Sequence, residues 1–338
     1  MKTMYILGAG FSKHAGFPLA KELGGTIIED PKILEQGRIR FSPNFNRVID
    51  YYDKVKKKVP FEELWITIQK DADSNKSTTL QWWLMRYFEF AIRLYFLRRA
   101  NEIEELPQAY SNFFGGIKFS SSDENTDALV YMNWDPLPEL YCGVCYSIKG
   151  KMEGRPFFHP IGASSRHLNV KSAPGICILR PAGGINLLEV PEARRIDDRT
   201  QECFPICQDP QIYLETNLDP KKRYNLTLQA GELEYLITPG SGTNRHPFAR
   251  GQLREAEKEF KKAKRIIVIG YRFPSYDDYI RRWVQSQDFS GKEIIIVDPD
   301  PQHATYKYFL KISQGAKLAL SESKFEESPY SKMGWNKA

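Results

Sequence analysis

Six short runs constrain this chain more than any other feature: Met4 to Leu7 (MYIL), Ala128 to Met132 (ALVYM), Ile176 to Leu179 (ICIL), Tyr235 to Thr238 (YLIT), Ile266 to Ile269 (IIVI) and Ile294 to Val297 (IIIV). Each is nearly all apolar. Runs of this length suit strands of a parallel sheet, which is covered by helices on both faces and has no polar side to display. Parallel strands need crossovers, and Leu253, Ala256, Phe260 and Ala263, just before IIVI, have the spacing of one buried helix face. The expected fold class is α/β, a doubly wound, mostly parallel sheet of Rossmann-like design with an inserted helical subdomain.

The first run breaks at Gly8 and Gly10, and a helix-compatible segment resumes near Gly16 to Leu23, giving strand, glycine turn and helix. Residues 44–105 read as the helical insert. In its last segment Trp83, Tyr87, Phe90, Leu94 and Leu97 recur at three or four residue intervals, an apolar stripe expected to pack in the core. The chain thus divides into 1–43 and 106–320 as two parts of the α/β domain, 44–105 as the insert, and 321–338 as a polar, loosely held tail. Residues 147–235, rich in Gly, Pro and charge, are expected to form loops with short strands.

With 338 residues and 41% hydrophobic content, the chain has enough material for a sizeable core. It contains no run of about 20 apolar residues and no signal-peptide pattern, so a soluble, cytoplasmic protein without membrane contact is expected. Five cysteines fit free thiols in a reducing compartment. A net charge of +6 does not by itself indicate nucleic-acid binding, and the basic runs at 54–58 and 261–265 read as solvated helix faces.

The residues suited to chemistry follow the apolar runs. GAGFSKHAGFP begins at Gly8, where free backbone N–H groups and a helix start favour a pyrophosphate; Lys13 and the late Gly16 break the plain G-x-G-x-x-G pattern. Asn133-Trp134-Asp135 follows ALVYM, RPAGGIN (180–186) follows ICIL, GYRFPSYDDYI begins at Gly270 after IIVI, and Asp298-Pro299-Asp300 follows IIIV. The carboxyl ends of parallel strands are where open α/β sheets place their ligands.

These motifs, in this order, resemble those of the sirtuin family, and the resemblance spans most of the chain outside the helical stretch. It implies that NAD is the substrate, held by Gly8, Ala9, Gly10, Phe11, Ser12, Gly16, Pro18, Trp134, Gly183, Asn186, Gly270, Tyr271 and Asp298. Asp298 would accept the adenosine ribose hydroxyls, and its charge would disfavour NADP. Asp135 and the backbone near Trp134 would grip the nicotinamide carboxamide, and Asn133 would orient a water or a ribose hydroxyl. The resemblance places Ala182 where the family carries its catalytic histidine. Ala182 is read either as an introduced substitution or as the natural residue of a non-catalytic relative; loss of a general base costs a factor of about 10² to 10⁴ in rate.

The cysteines Cys142, Cys145, Cys203 and Cys207 are read as unligated thiols rather than the family's structural zinc site, and His159 and His167 as surface residues. Without a zinc module, the resemblance points to an NAD glycohydrolase of the NAD-depleting antiphage type. Its expected partners are further copies of itself and a separate sensor or motor subunit such as a HerA-type ATPase. A protein deacylase or ADP-ribosyltransferase, and a non-catalytic nucleotide sensor, stand as alternatives.

Overall fold

The computed structural model describes residues 1–56, 61–73, 76, 78–103, 107–118, 126–138, 157–158, 176–189, 203–205, 234–237 and 247–332. Its centre is a seven-stranded sheet. The strands are β1 (Thr3–Leu7), β2 (Ala128–Tyr131), β3 (Phe157–Phe158), β4 (Ile176–Leu179), β8 (Arg265–Ile269), β9 (Glu293–Val297) and β10 (Lys317–Ser321), in the order β10-β9-β8-β1-β2-β4-β3. Every pairing within it is parallel. The α/β, mostly parallel architecture expected from the apolar runs is therefore the observed one.

Strand alternation sends side chains to two cores. Tyr5, Leu7, Leu129, Tyr131, Ile267 and Ile269 face one side, with α2 (Pro31–Arg40), α3 (Phe45–Val55), α4 (Phe61–Asp73), α5 (Thr79–Glu102) and α6 (Gln108–Gly116). Met4, Ile6, Val130, Ile266, Val268 and Ile294 face the other, with α7 (Pro247–Lys262), α8 (Asp278–Gln285) and α9 (Ala304–Ile312). Leu253, Ala256, Phe260 and Ala263 are all buried, as their spacing predicts. The helices between β1 and β2 begin before residue 44 and end after residue 105, and their apolar residues join the sheet's own cluster. Local chemistry fixes their starts: Asp30 Oδ1 accepts from the amides of Lys32 and Ile33 at 2.9 and 3.0 Å, and Thr78 and Gln81 form a reciprocal capping box.

Three expectations are corrected. The run at 235–238 is not in the parallel sheet: β7 (Glu234–Ile237) pairs antiparallel with β5 (Gly183–Glu189), which also pairs with β6 (Cys203–Pro205). A four-residue apolar run carries no information on strand direction. The continuous helix near Gly16 to Leu23 is absent. Only the four-residue α1 (Ala9–Ser12) and single turns follow β1, because Gly16 takes φ +84° and Pro18 follows it.

The stripe of α5 packs against the core but is displaced from the deepest face, which is Leu84, Tyr87, Phe88, Ala91, Ile92 and Phe96; of the stripe residues whose side chains are described, Tyr87 is buried and Trp83, Phe90 and Leu94 are partly buried against the same cluster. The tail, over its described part to Lys332, is packed. Phe325 is buried with its ring 4.6 Å from Phe11 and 5.0 Å from Tyr110, and Asn112 Nδ2 donates to Ser331 O at 2.9 Å. One aromatic anchors a segment that average polarity marks as loose.

Candidate active site

Parallel pairing brings the carboxyl ends of β4, β2, β1, β8 and β9 to one edge, and the turns that follow them touch in that sequence. The β4 turn meets the β2 turn where Trp134 Nε1 donates to Ala182 O at 3.1 Å. There too Arg180 Nη1 and Nη2 donate to the carbonyls of Asn133 and Asp135 at 3.0 and 2.9 Å. Arg180 is fully buried, its amide donates to Gln252 Oε1 of α7 at 2.9 Å, and its guanidinium lies 4.7 Å from the Tyr131 ring centre. Such a cation is tolerable inside because carbonyls and a ring face replace water.

The β2 turn meets the β1 turn through side chains. Asn133 Nδ2 donates to Ser12 Oγ at 2.8 Å, Ser12 Oγ lies 2.6 Å from the Tyr131 hydroxyl, and that hydroxyl donates to Asp135 Oδ1 at 2.6 Å. The Leu137 amide also donates to Asp135 Oδ1, at 3.1 Å. Burial holds the Asp135 carboxyl above the usual carboxylate range, opposed by the Tyr131 hydrogen bond and the Arg180 charge. Asp135 is 1% exposed, whereas Asn133 and Trp134 are half-buried, so Asn133 and Trp134 are the members of N-W-D open to a ligand. Trp134 lies 5.3 Å from Trp65 of α4, which fixes its indole.

The β1 and β8 turns meet backbone to backbone. The amides of Gly8, Gly10 and Phe11 donate to the carbonyls of Ile269, Gly270 and Gly8 at 3.0, 3.0 and 2.8 Å. The expectation of free N–H groups awaiting a pyrophosphate is thereby corrected at those positions. A Cβ on Gly10 would stand 2.8 Å from Gly270 Cα, and one on Gly8 2.6 Å from Gly270 O. These glycines are required by close approach of two turns. Ala9 and Gly10 remain half-exposed at the surface of this junction.

Phe11 is a core residue, fully buried among Tyr110, Phe113 and Phe325. Gly16 sits against Arg99, and Pro18 is buried. Tyr271 packs against Gly8 and donates its hydroxyl to Asp277 Oδ2 at 2.5 Å. Gly183 and Asn186 are placed by backbone in β5, where Gly183 pairs with Ile237.

Asp298 closes the row. It is buried, Oδ1 accepts from the Asp300 amide at 3.0 Å and Oδ2 from Thr305 Oγ1 at 2.9 Å. That is the geometry of an Asx turn, so Asp298 shapes its own loop as well as lining the edge. Arg272, 60% exposed, stands 3.8 Å from Asp298 and offsets the charge from which a preference against NADP was expected. Tyr131, Arg180 and Arg272 complete the edge without having been assigned a role from sequence. Tyr131 reads there simply as one apolar residue of the run Ala128 to Met132.

Among the described residues no group of three or more His, Cys, Asp and Glu is placed to hold a metal, and no helix is long and apolar enough to cross a membrane. Cys142, Cys145, Cys207, His159 and His167 lie outside the described residues; Cys203 is placed by backbone in β6.

No protein-family model and no curated protein matches the chain. Among solved structures it is similar to Sir2Tm bound to a propionylated peptide, at 12% identity and a TM-score of 0.39, covering 96% of this chain and 89% of that one. It is also similar to a Sir2 variant with a p53 peptide and NAD, at 11% identity and a TM-score of 0.37 over the same shares. With superposition that low, the fold assignment rests on this chain's own strand order and register: an open, doubly covered parallel sheet with a polar carboxyl edge.

Proposed function

We propose that the protein is a sirtuin-related NAD glycohydrolase that binds NAD across the turns after β1, β2, β4, β8 and β9 and releases nicotinamide. The observation that carries this reading is the side-chain chain Asn133–Ser12–Tyr131–Asp135, which joins two strand-end turns, with Trp134 of the second turn donating to Ala182 O. The donor set fits such a substrate. Half-buried Asn133 and Trp134 offer an amide and an indole to the nicotinamide end, Ala9 and Gly10 are half-exposed at the surface of the glycine junction, and exposed Arg272 supplies positive charge for phosphate. Strand order supports the same position, because the chain adds strands to one side of β1 through β2 and β4 and then to the other through β8, β9 and β10, and ligands of open α/β sheets sit at such a switch.

Cleaving the nicotinamide–ribose bond passes through an oxocarbenium-like ribose, and the protein's part is to hold the leaving carboxamide and orient the attacking oxygen. Asn133 orients that oxygen. Ala182 contributes a carbonyl to Trp134 but no base, so turnover is slow in this chain. An NAD-depleting defence role, self-association and a HerA-type partner extend the same reading. Measuring nicotinamide release from NAD by this chain and by Ala182→His tests it. A rise of about 10² or more is expected from restoring a base. No release from either protein, with both folded, contradicts it.

A further inference from the structure

Tyr131 sits at the centre of the edge with a single hydroxyl proton, and its partners determine where that proton goes. A carboxylate only accepts hydrogen bonds. Tyr131 therefore donates to Asp135, its oxygen accepts the Ser12 proton, and the Ser12 oxygen accepts from Asn133. We propose that Tyr131 and Asp135 are positioning residues, whose one-way hydrogen-bond chain locks the Asn133 amide with Nδ2 against Ser12 and Oδ1 on the opposite arm, as an acceptor for the attacking water.

The chemical consequence rests on the NAD-cleaving reading. An Oδ1 acceptor takes one water proton and leaves both water lone pairs free, which raises the oxygen's nucleophilicity toward the anomeric carbon; an Nδ2 donor would occupy one of the two and lower it. The step balances: the water oxygen bonds to the anomeric carbon, the carbon–nitrogen bond breaks with its electron pair going to the nicotinamide nitrogen, and the water proton leaves to solvent.

The same geometry makes the chain reversible. A neutral Asp135 donates to Tyr131, Tyr131 to Ser12 and Ser12 to Asn133 Oδ1, which turns Nδ2 away from Ser12. The groups facing Asp135 are the Tyr131 and Ser12 hydroxyls, the Leu137 amide and the Arg180 guanidinium, with the Tyr110 phenol beyond. Because burial favours the protonated form, reversal occurs above the usual carboxylate range.

The Asn133 side-chain amide, identified in the isotope-labelled full chain by its loss in Asn133→Ala, reads the sense of the chain without substrate. At neutral pH one Nδ2 proton is expected to exchange roughly tenfold more slowly than in Tyr131→Phe. Acidification through the Asp135 ionisation is expected to remove that protection in the native chain but not in Asp135→Asn. In an Ala182→His background, Tyr131→Phe is expected to lower kcat roughly tenfold with KM little changed. Equal protection in native chain and Tyr131→Phe, or protection indifferent to acid in the native chain, overturns the proposal whatever the activity. Should the protection pattern hold while no protein releases nicotinamide, the hydrogen-bond chain stands and the NAD-cleaving reading fails.

Discussion

Gly8, Gly10 and Gly270 are packed against one another rather than held open. A Cβ on Gly270 would fall 2.4 Å from Phe11 N, and Gly270 takes φ +63°. Gly270→Ala should therefore cost about 3 kcal/mol or more by denaturant unfolding, whereas Gly25→Ala, with nothing within 4 Å of the added methyl, should change stability by under about 1 kcal/mol. Equal effects would show that the junction yields easily. Sequence makes the glycines visible but not their use: a strand-end glycine pair reads equally as a ligand turn or as a close approach of two turns, and only the partner turn decides. Asn133 and Asp135 were legible as a pair, yet the structure divides them, one half-open and one buried. Tyr131 was illegible because a strand's last aromatic differs from a polar relay only by what its hydroxyl meets.

At the scale of elements, the strands that sequence exposes are those covered on both faces, where every residue must be apolar. β10 was missed because it is an edge strand with two of its five residues exposed and none buried, so it lacks that composition. β7 was visible but misassigned, since partner and direction are set by β5. The last described turns were missed because few residues hold them, chiefly Phe325, with Tyr330 packed on the core and Ser331 bonded to Asn112. Phe325→Ala should cost about 3–5 kcal/mol and raise hydrogen exchange over residues 322–332, because its ring fills space between Phe11, Tyr110 and Phe113. Unchanged stability would mean that the segment is dispensable to the core. Phe11 lies next to Ser12, so the same substitution reaches the floor of the site.

Across the whole molecule, chain order and space are differently arranged. The turns that meet at the carboxyl edge come from residues as far apart as Gly8 and Asp298, yet each touches the next through a short hydrogen bond or a backbone contact. A sheet with its first strand at the centre produces this, because connections on either side of β1 return their turns to one crevice. The fold was readable from apolar runs because burial on two faces leaves a strong compositional mark; the interlocking of the turns leaves none. The most direct test is calorimetric titration of the intact chain with NAD. A saturable one-to-one heat is expected, weakened up to about tenfold by Asn133→Ala. The absence of any heat from a folded chain would contradict a dinucleotide site at this edge.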